Sequence, residues 1–386
     1  MGTLARWQLR QTWRLLIVIG IGLITAVALV GMIPLYAQVS ESAGLRHALE
    51  TDPQSAYIQI QANNPLFDAG SLNDIQAQLT QIIQGELGST VLSTPDLSVK
   101  VATLDFTPNR RTKVPGNASS FVRLVGTDVN QVPGHLKMLQ GRLPASTSNG
   151  VVEFAVPGDT QQSLHLQLNQ KFTLPFDLVN QTGQVARHNL TLRLVGVFAS
   201  PSNTDLFWHG ETFVPEQFSR GIQILERFPL LVSNHELINE FSSLSAAATP
   251  QGRNNSLQFT NPPNTTWYYR FDFSHVDINH LSDLTNSLNS VLGIINRNPQ
   301  APPYVTDTVS QAPLSVLKNY AQRVIVVALP ILGLTCLIGG LLLFFVVLMT
   351  DLLVERQVAA ITLLRSRGAS ARQIFGSLLW QSLSLG

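Results

Sequence analysis

The sequence predicts an α+β membrane protein in which two transmembrane helices bracket a large extracytoplasmic domain. Residues 15–36 and 324–350 are long runs without a charged side chain, and about 20 apolar residues suffice to cross a bilayer as a helix. Between them, residues 37–323 show the short strand-like and helix-like patterns that are typical of a folded core. These observations together predict the fold class.

The first apolar run follows a cytoplasmic flank, residues 1–14, that contains three arginines and no acid. A cleaved signal peptide is the alternative to a retained helix, with a cut near Ala37. The apolar part of a signal peptide is usually about 7–15 residues long. The run at 15–36 is longer, which favours a retained transmembrane helix.

The arginines also predict the orientation of the chain. Arg356, Arg365, Arg367 and Arg372 follow the second run, and loops rich in arginine and lysine stay on the cytoplasmic side. Both ends are therefore expected in the cytoplasm of a multi-pass cell-membrane protein. The net charge of +1 predicts no polyanion-binding surface, so no nucleic-acid partner is expected.

The extracytoplasmic domain is expected to contain two αβ halves, at about 41–115 and 264–310, and a β-rich insertion at about 117–232. The halves are predicted by strand-like segments at 57–61, 97–106 and 267–273 and by two helical stripes of apolar residues. The stripes are Leu72, Ile75, Leu79, Ile82 and Ile83, and Leu281, Leu284, Leu288, Val291 and Ile295. The insertion is predicted by short β-branched segments separated by Pro, Gly and Asn.

Residue patterns for catalysis, cofactor binding and metal binding are not expected in this chain. His235 lacks a second histidine four residues on, where Asn239 stands, so a zinc-helix motif is not predicted. Asp277, between His275 and His280, is interpreted as a residue at the start of a helix rather than as a metal ligand. A phosphate-binding loop motif is also missing, so any ATP hydrolysis is expected on a partner chain.

The segment after the second run is predicted to be a cytoplasmic elbow, residues 351–373. Val358, Ile361 and Leu364 are spaced three apart, which predicts a short helix with one apolar face. Gly368 supplies the backbone conformation that ends a helix. Ser370, with a glutamine three residues later, predicts a capping box that starts the next helix.

Residues 374–386 are again largely apolar and are interpreted as the start of a third transmembrane helix, cut short by the chain end. The alternative is an amphipathic tail on the inner leaflet. These residues contain no lysine or arginine, so they lack the basic face of such a tail.

Residues 363–370, followed by an Arg-Gln-Ile triplet and a leucine-rich run, resemble the signature of FtsX-like permeases. These are membrane subunits of ABC transporters of the macrolide-exporter and lipoprotein-release type. Residues 141–144 (GRLP) and 194–198 (LVGVF) are similar to the periplasmic core domain of the family. Two departures are Ala360, where an acid is common, and Arg367, where a leucine often precedes the glycine.

The resemblance implies a permease subunit that couples ATP hydrolysis by a separate ABC ATPase to movement of the extracytoplasmic domain. The implied partners are that ATPase, a second permease copy or paralogue, and the lipid bilayer. The substrate would be a lipoprotein, a peptide or a hydrophobic drug. Residues that would contact the ATPase are Arg356, Val358, Ile361, Leu364, Arg365, Arg367, Gly368 and Ser370.

Two other classes of protein stay open from the sequence. One is a two-span receptor whose outer domain senses a ligand, and the other is a membrane-anchored mechanical activator of an envelope enzyme. A receptor normally continues into a charged helical linker, whereas this chain turns apolar again soon after the elbow. Copurification of an ATPase would separate transport from sensing.

Overall fold

The structure is a computed structural model, and its described residues form two compact units. The units are Ser42–Tyr320, called the sheet unit below, and Met1–Glu41 with Ala321–Gly386, called the helical unit. The described residues are 24, 27–28, 31–33, 35–51, 54–63, 69–106, 120–145, 150–179, 185–220, 223–247, 258–259, 263–297, 312–366 and 376.

Within these ranges, eleven strands form one mixed sheet in the sheet unit. The strands are β1 (Tyr57–Asn63), β2 (Asp96–Phe106), β3 (Ser120–Thr127), β4 (Lys137–Gly141), β5 (Val151–Pro157), β6 (Lys171–Val179), β7 (Val185–Ala199), β8 (Glu216–Arg220), β9 (Gln223–Ser233), β10 (Gln258–Phe259) and β11 (Asn264–Arg270). Their order is β1-β11-β2-β3-β9-β5-β7-β6-β10, and β4 and β8 pair with β7 and β9 beside this path. The pairs β3–β9 and β5–β7 are parallel.

The described helices are α1 (residues 35–51), α2 (Ala69–Leu87), α3 (Gly158–Ser163), α4 (Asn234–Ala247), α5 (Leu281–Arg297) and α6 (Ala312–Ser366). The predicted apolar stripe of α5 is confirmed, because its five members are all buried. Helices α2 and α5 pack on each other. The Tyr269 hydroxyl lies 2.9 Å from Thr80 Oγ1 and so ties α2 to strand β11.

Strand β11 joins segments from opposite ends of the sheet unit. It pairs antiparallel with β1 along its full length and with β2 on its other side. Trp267 and Tyr269 are fully buried on this strand. The strands predicted at 57–61, 97–106 and 267–273 are therefore confirmed as elements, with the last one ending at Arg270.

Helix α1 is fastened to the sheet unit by side chains of its second half. Leu45 and Leu49 are fully buried. Ser42 Oγ donates to Asp277 Oδ1 at 2.9 Å, and Arg46 Nε donates to the Val276 carbonyl at 2.9 Å. The loop before α5 therefore holds α1 through both polar and apolar contacts.

The prediction of an α+β membrane protein with transmembrane helices at 15–36 and 324–350 is wrong. In the described part of the chain, no helix combines the length and the apolar character needed to cross a membrane. The prediction rested on uncharged runs in the sequence, but the second run is only an interior stretch of α6, Ala312–Ser366. The first run is described at a few positions alone.

The multi-pass cell-membrane localisation, with its cytoplasmic N-terminus and extracytoplasmic domain, rested on those two helices and is corrected with them. The chain described here is instead a mixed α/β protein built on a large sheet. Of the predicted elbow, residues 351–366 continue α6 without a break. The turn predicted at 368–370 lies outside the described residues, as does the segment 374–386 apart from Gly376.

Candidate functional site

A cavity of about 860 Å³ lies at the carboxyl ends of the parallel strands β3 and β9. In open sheets with parallel strands, ligands bind outside the carboxyl ends of those strands. The wall comes from six parts of the chain. Its residues are Pro95, Asp96, Leu97, Ser98, Lys100, Val125, Gly126, Thr127, Asp128, Val129, Asn130, Gln131, Leu143, Pro144, Ala145, Phe207, Trp208, His209, Glu211, Ser233, Asn234, His235, Ile238 and Tyr268.

The cavity exists because β2 and β3 separate at this end. Their paired register ends at Lys100 and Val125. Beyond that pair, the side-chain amide of Asn234 takes the place of the strand: its Oδ1 accepts from the Val99 N–H at 3.0 Å, and its Nδ2 donates to the Leu97 carbonyl. One buried side chain therefore satisfies two backbone groups that the diverging strands leave without a ladder partner.

Gly126 permits this arrangement, because there is no room for a side chain at its position. A Cβ there would lie 2.5 Å from Asn234 Oδ1 and 2.8 Å from the Val99 carbonyl oxygen. The Gly126 carbonyl accepts a hydrogen bond from Ser98 Oγ at 2.8 Å. The glycine thus lets the start of α4 approach the splayed strands closely.

A chain of alternating charges leads away from the cavity wall, where it begins with Lys100 and Glu211. Lys100 Nζ lies 2.6 Å from Glu211 Oε2, and Arg123 pairs with the other oxygen of Glu211. Glu216 then bridges Arg123 at 3.2 Å and Arg227 at 2.6 Å. Because every ion has an opposite neighbour, the half-buried row can stay charged.

Lys100 also contacts Tyr268, whose hydroxyl accepts a hydrogen bond from Nζ at 3.1 Å. Burial opposes the charged form of Lys100, but the nearby Tyr268 and Glu211 outweigh burial and raise the pKa of Lys100 above its ordinary value. The ammonium is therefore charged at neutral pH and is already matched by Glu211.

An aromatic stack beside a carboxylate adjoins this row of charges, since Tyr268 contacts Lys100. The ring of His209 stacks on Tyr268 with centroids 3.9 Å apart and meets the edge of Tyr57 at 4.5 Å. His209 Nε2 lies 3.2 Å from Asp96 Oδ2. Burial lowers the pKa of His209 below its usual value, although the Asp96 contact opposes this, so the ring is neutral at pH 7.

His209 adopts a left-handed backbone conformation, with φ of 54°. This conformation is uncommon for a residue that is not glycine. It follows the short 3₁₀ turn Leu206–Trp208, whose preceding Asp205 accepts from the Phe207 N–H at 3.0 Å. The turn aims the His209 ring at Asp96 and Tyr268.

Residues 143–145 reach the cavity wall from a buried carboxylate clamp. Glu153 is fully buried, and its oxygens accept from the Arg142 guanidinium in two bonds of 2.6 Å and from Arg193. The Ala145 N–H donates to the same carboxylate at 2.9 Å. Burial raises the pKa of Glu153, but the hydrogen bonds from Arg142, Ala145 and Arg193 outweigh it, so the net pKa is lowered.

The two segments that carry the family resemblance in the predicted periplasmic core domain meet at this clamp. Gly141 pairs with Gly196 across strands β4 and β7, and the Arg142 N–H donates to the Val195 carbonyl at 3.0 Å. A Cβ on either glycine would collide with backbone atoms of the opposite segment. Both glycines are therefore required for this close approach.

The predicted ATPase-contacting residues lie on the last part of α6 or beyond it. Val358 is 55% exposed on the helix. Arg356, Ile361, Leu364 and Arg365 belong to the helical backbone, but their side chains are not among those described. Arg367, Gly368 and Ser370 lie outside the described residues. Their role stays a prediction.

Of the residues in the cavity wall, the sequence singled out His235, as part of an incomplete zinc motif, and Leu143 and Pro144, through the family resemblance. Lys100 carries no such signal, because it stands at a polar position of the alternating pattern of β2, as an exposed lysine would. Its partner Tyr268 is 168 positions away in sequence. Only the sheet brings the two residues together.

The interpretation of Asp277 as a residue at a helix start is confirmed. Its side chain accepts from the Asn279 N–H at 3.1 Å and from Ser42 Oγ at 2.9 Å. In the described ranges, histidines, cysteines and acids form no group of three that could hold a metal ion. His235 likewise lies in the first turn of α4, 3.1 Å from the amide of Asn239.

Comparisons with known proteins add no family assignment to this geometry. No protein-family model matches the chain, and a search of curated proteins also gives no match. The resemblance to FtsX-like permeases therefore remains an expectation that rests on the residues quoted for it.

Proposed function

We propose that this chain is the non-ATPase subunit of an ATP-driven assembly of the FtsX-like type. A separate ABC ATPase acts on the end of α6, and the sheet unit handles the substrate, which is a peptide, a lipoprotein or a hydrophobic drug. The chain relays movement and does not hydrolyse ATP.

The observation that carries the proposal is the continuity of α6. It begins at Ala312, within the sheet unit, and continues as one helix to Ser366 at the predicted coupling elbow. A helix of 55 residues is about 80 Å long at about 1.5 Å per residue. Pro330 lies inside α6 and removes one of its backbone hydrogen bonds, which permits a local kink. The proposal requires only that the helix is continuous, so that a displacement at one end reaches the other.

The first turns of α6 are fixed in the sheet unit, as a force-bearing element requires. Leu314 and Leu317 are buried there. Gly44 of α1 lies so close to the Tyr320 hydroxyl that a Cβ on the glycine would collide with it. Helices α1 and α6 are thus in contact where each belongs to the sheet unit. We propose that a displacement of one helix is transmitted to the other through this contact.

The glycine contact at Gly141 and Gly196 further supports the proposal. These residues belong to the two segments of the sheet unit that resemble the family, and they are neighbours in space. The same contact places Leu143 and Pro144 in the wall of the cavity. The segments that suggested the family and the cavity therefore belong to one substructure.

The exposed face of α6 supports a second copy of the chain as a partner. Large apolar side chains such as Leu334, Leu341 and Phe344 are more than half exposed in the helical unit. Contiguous exposed apolar surface marks an interaction site. We propose that α6 of a second copy covers part of this surface in the assembly.

Charge reversal of Arg365 and Arg367 tests the contact with the ATPase. The full chain, the double variant R365E/R367E and the control K318E are purified by a tag from the native host. Lys318 is exposed near the other end of α6. Vanadate-sensitive phosphate release in the eluate should be lost with the double variant and kept with the control.

Two results would contradict the proposal. One is an eluate of the unaltered chain without ATPase activity. The other is full activity with the double variant, since a contact that survives reversal of both charges does not involve those arginines.

A further inference from the structure

The cavity has the size of a binding site for a small molecule or for a side chain of a larger one. Its volume is about 860 Å³, within the range of about 300–1,000 Å³ that is usual for ligand pockets. A metal ion alone would leave most of this volume unfilled. The chemistry of the wall therefore has to match an organic ligand.

The ionisable residues of the wall are unequal in sign. Three carboxylates, Asp96, Asp128 and Glu211, line the cavity with one ammonium, Lys100, and two histidines, His209 and His235. Glu211 is matched by Lys100 and by Arg123 behind it. For Asp96 and Asp128, no lysine or arginine lies within ion-pair distance among the described side chains. Two negative charges of the wall thus lack a cationic partner.

Asp96 and Asp128 differ in what they already bind. The carboxylate of Asp128 already accepts hydrogen bonds within its own turn. Its oxygens accept from the backbone and side chain of Asn130 and from the side-chain amide of Gln131. Asp96 accepts one hydrogen bond, from the neutral His209, and its side chain is 43% exposed. Asp96 is therefore the carboxylate that can accept a ligand.

The wall next to Asp96 is aromatic and held in place. His209 and Tyr268 are stacked within 18° of parallel, and the lysine on the far edge of Tyr268 is neutralised by Glu211. Cations bind favourably near aromatic rings, and most strongly when they are partly desolvated. An anionic group beside an aromatic wall matches an ammonium or guanidinium group with an organic body.

The left-handed conformation of His209 fixes this arrangement. A non-glycine residue keeps such a conformation only when its surroundings determine it. Here the contacts with Asp96, Tyr57 and Tyr268 do so. The aromatic wall and the carboxylate are thus organised before a ligand enters, which lowers the entropic cost of binding.

We propose that the cavity binds an organic cation, an alkylammonium or guanidinium group, with Asp96 as its counter-ion and the His209–Tyr268 stack beside it. The inference rests on the proposed function, in which the sheet unit handles the substrate, and it narrows the substrate to molecules with a basic group. A basic side chain of a peptide and a small amine share this chemistry.

Calorimetric titration of the purified full chain, without an ATPase, tests the proposal. The probes are acetyl-Ala-Arg-Ala-amide, its alanine and glutamate counterparts, and agmatine. The arginine peptide should bind, its affinity should fall as NaCl is raised, and D96N should weaken it about ten-fold or more. The matched control is D177N, because Asp177 pairs with Arg187 away from the cavity.

Agmatine identifies the source of the cation. Equal binding of agmatine and the arginine peptide supports a small amine, whereas binding of the peptide alone supports a peptide substrate. Binding of neither, equal binding of the alanine or glutamate peptide, or unchanged binding to D96N overturns the proposal. The preference for the arginine peptide and its dependence on NaCl are measured with the unaltered chain. These two measurements therefore test the proposal even if D96N fails to fold.

The outcome is separable from that of the ATPase experiment. Cation binding by a chain that copurifies with no ATPase would contradict the proposed function and leave this inference intact. An ATPase contact without cation binding would support the proposed function and contradict the cation-binding inference.

Discussion

Gly126 is the residue whose replacement should disturb the cavity most directly. In G126A the new methyl group would meet Asn234 and the β2 backbone, which neither can avoid without losing the hydrogen bonds of Asn234. We expect G126A to lower the free energy of unfolding by roughly 1–3 kcal/mol, as overpacking does. Urea denaturation followed by circular dichroism measures this.

Gly85 is the matched control for that substitution. It lies in α2, and a Cβ there meets nothing within 4 Å. G85A should therefore stabilise the chain by up to about 1 kcal/mol through helix propensity. Equal effects of G85A and G126A would contradict the close approach of α4 to the splayed strands.

Glu153 is the second residue with a specific energetic role. E153Q removes the negative charge and leaves Arg142 and Arg193 beside a neutral amide, but the two guanidinium groups are 54% and 33% exposed and stay partly hydrated. We therefore expect a loss of roughly 1–3 kcal/mol. The control D177N changes a partly exposed carboxylate in an ion pair and should cost much less. Thermal unfolding of the three chains at neutral pH provides the comparison.

The same carboxylate should make stability depend on pH. The pKa of Glu153 is lower in the folded chain than in the unfolded one, where it is about 4.3. Its contribution is therefore fully present above that value and is lost as the pH falls through the folded pKa. The decline below about pH 4.3 should be smaller in E153Q, and equal declines would argue against the clamp.

At the scale of elements, α6 is the feature that requires a partner. Its exposed apolar side chains predict self-association, and light scattering should give about twice the monomer mass of 42.3 kDa. The single cysteine, Cys336, is exposed on α6, so a bismaleimide should capture the dimer, with C336S as the control. A monomer mass at micromolar concentration would contradict the association of two copies.

At the scale of the whole molecule, the sheet unit should fold independently of the helical unit. Residues 42–320 form one compact unit with the complete eleven-stranded sheet, and domains with their own core can fold alone. A fragment 42–320 should unfold cooperatively, with a midpoint within a few degrees of that in the full chain. A fragment without a cooperative transition would show that the helical unit is needed for folding.

The sequence by itself determined the elements with a strong local period. The stripe of α5 and the strands around 57–61 and 97–106 could be predicted, because apolar spacing and side-chain burial are linked within each element. It also determined that Asp277 belongs to a helix start, since that role involves residues two positions apart. The transmembrane helices were predicted from hydropathy alone, and that prediction was wrong.

The cavity could be identified only from the tertiary structure, because its residues are far apart in the sequence. Asp96 and His209 are 113 positions apart in sequence, and Lys100 and Tyr268 are 168 apart. Their proximity depends on the strand order, on the divergence of β2 from β3 and on the insertion of Asn234 between them. None of these has a local signature, because pairing between distant strands is set by the packing of the whole sheet.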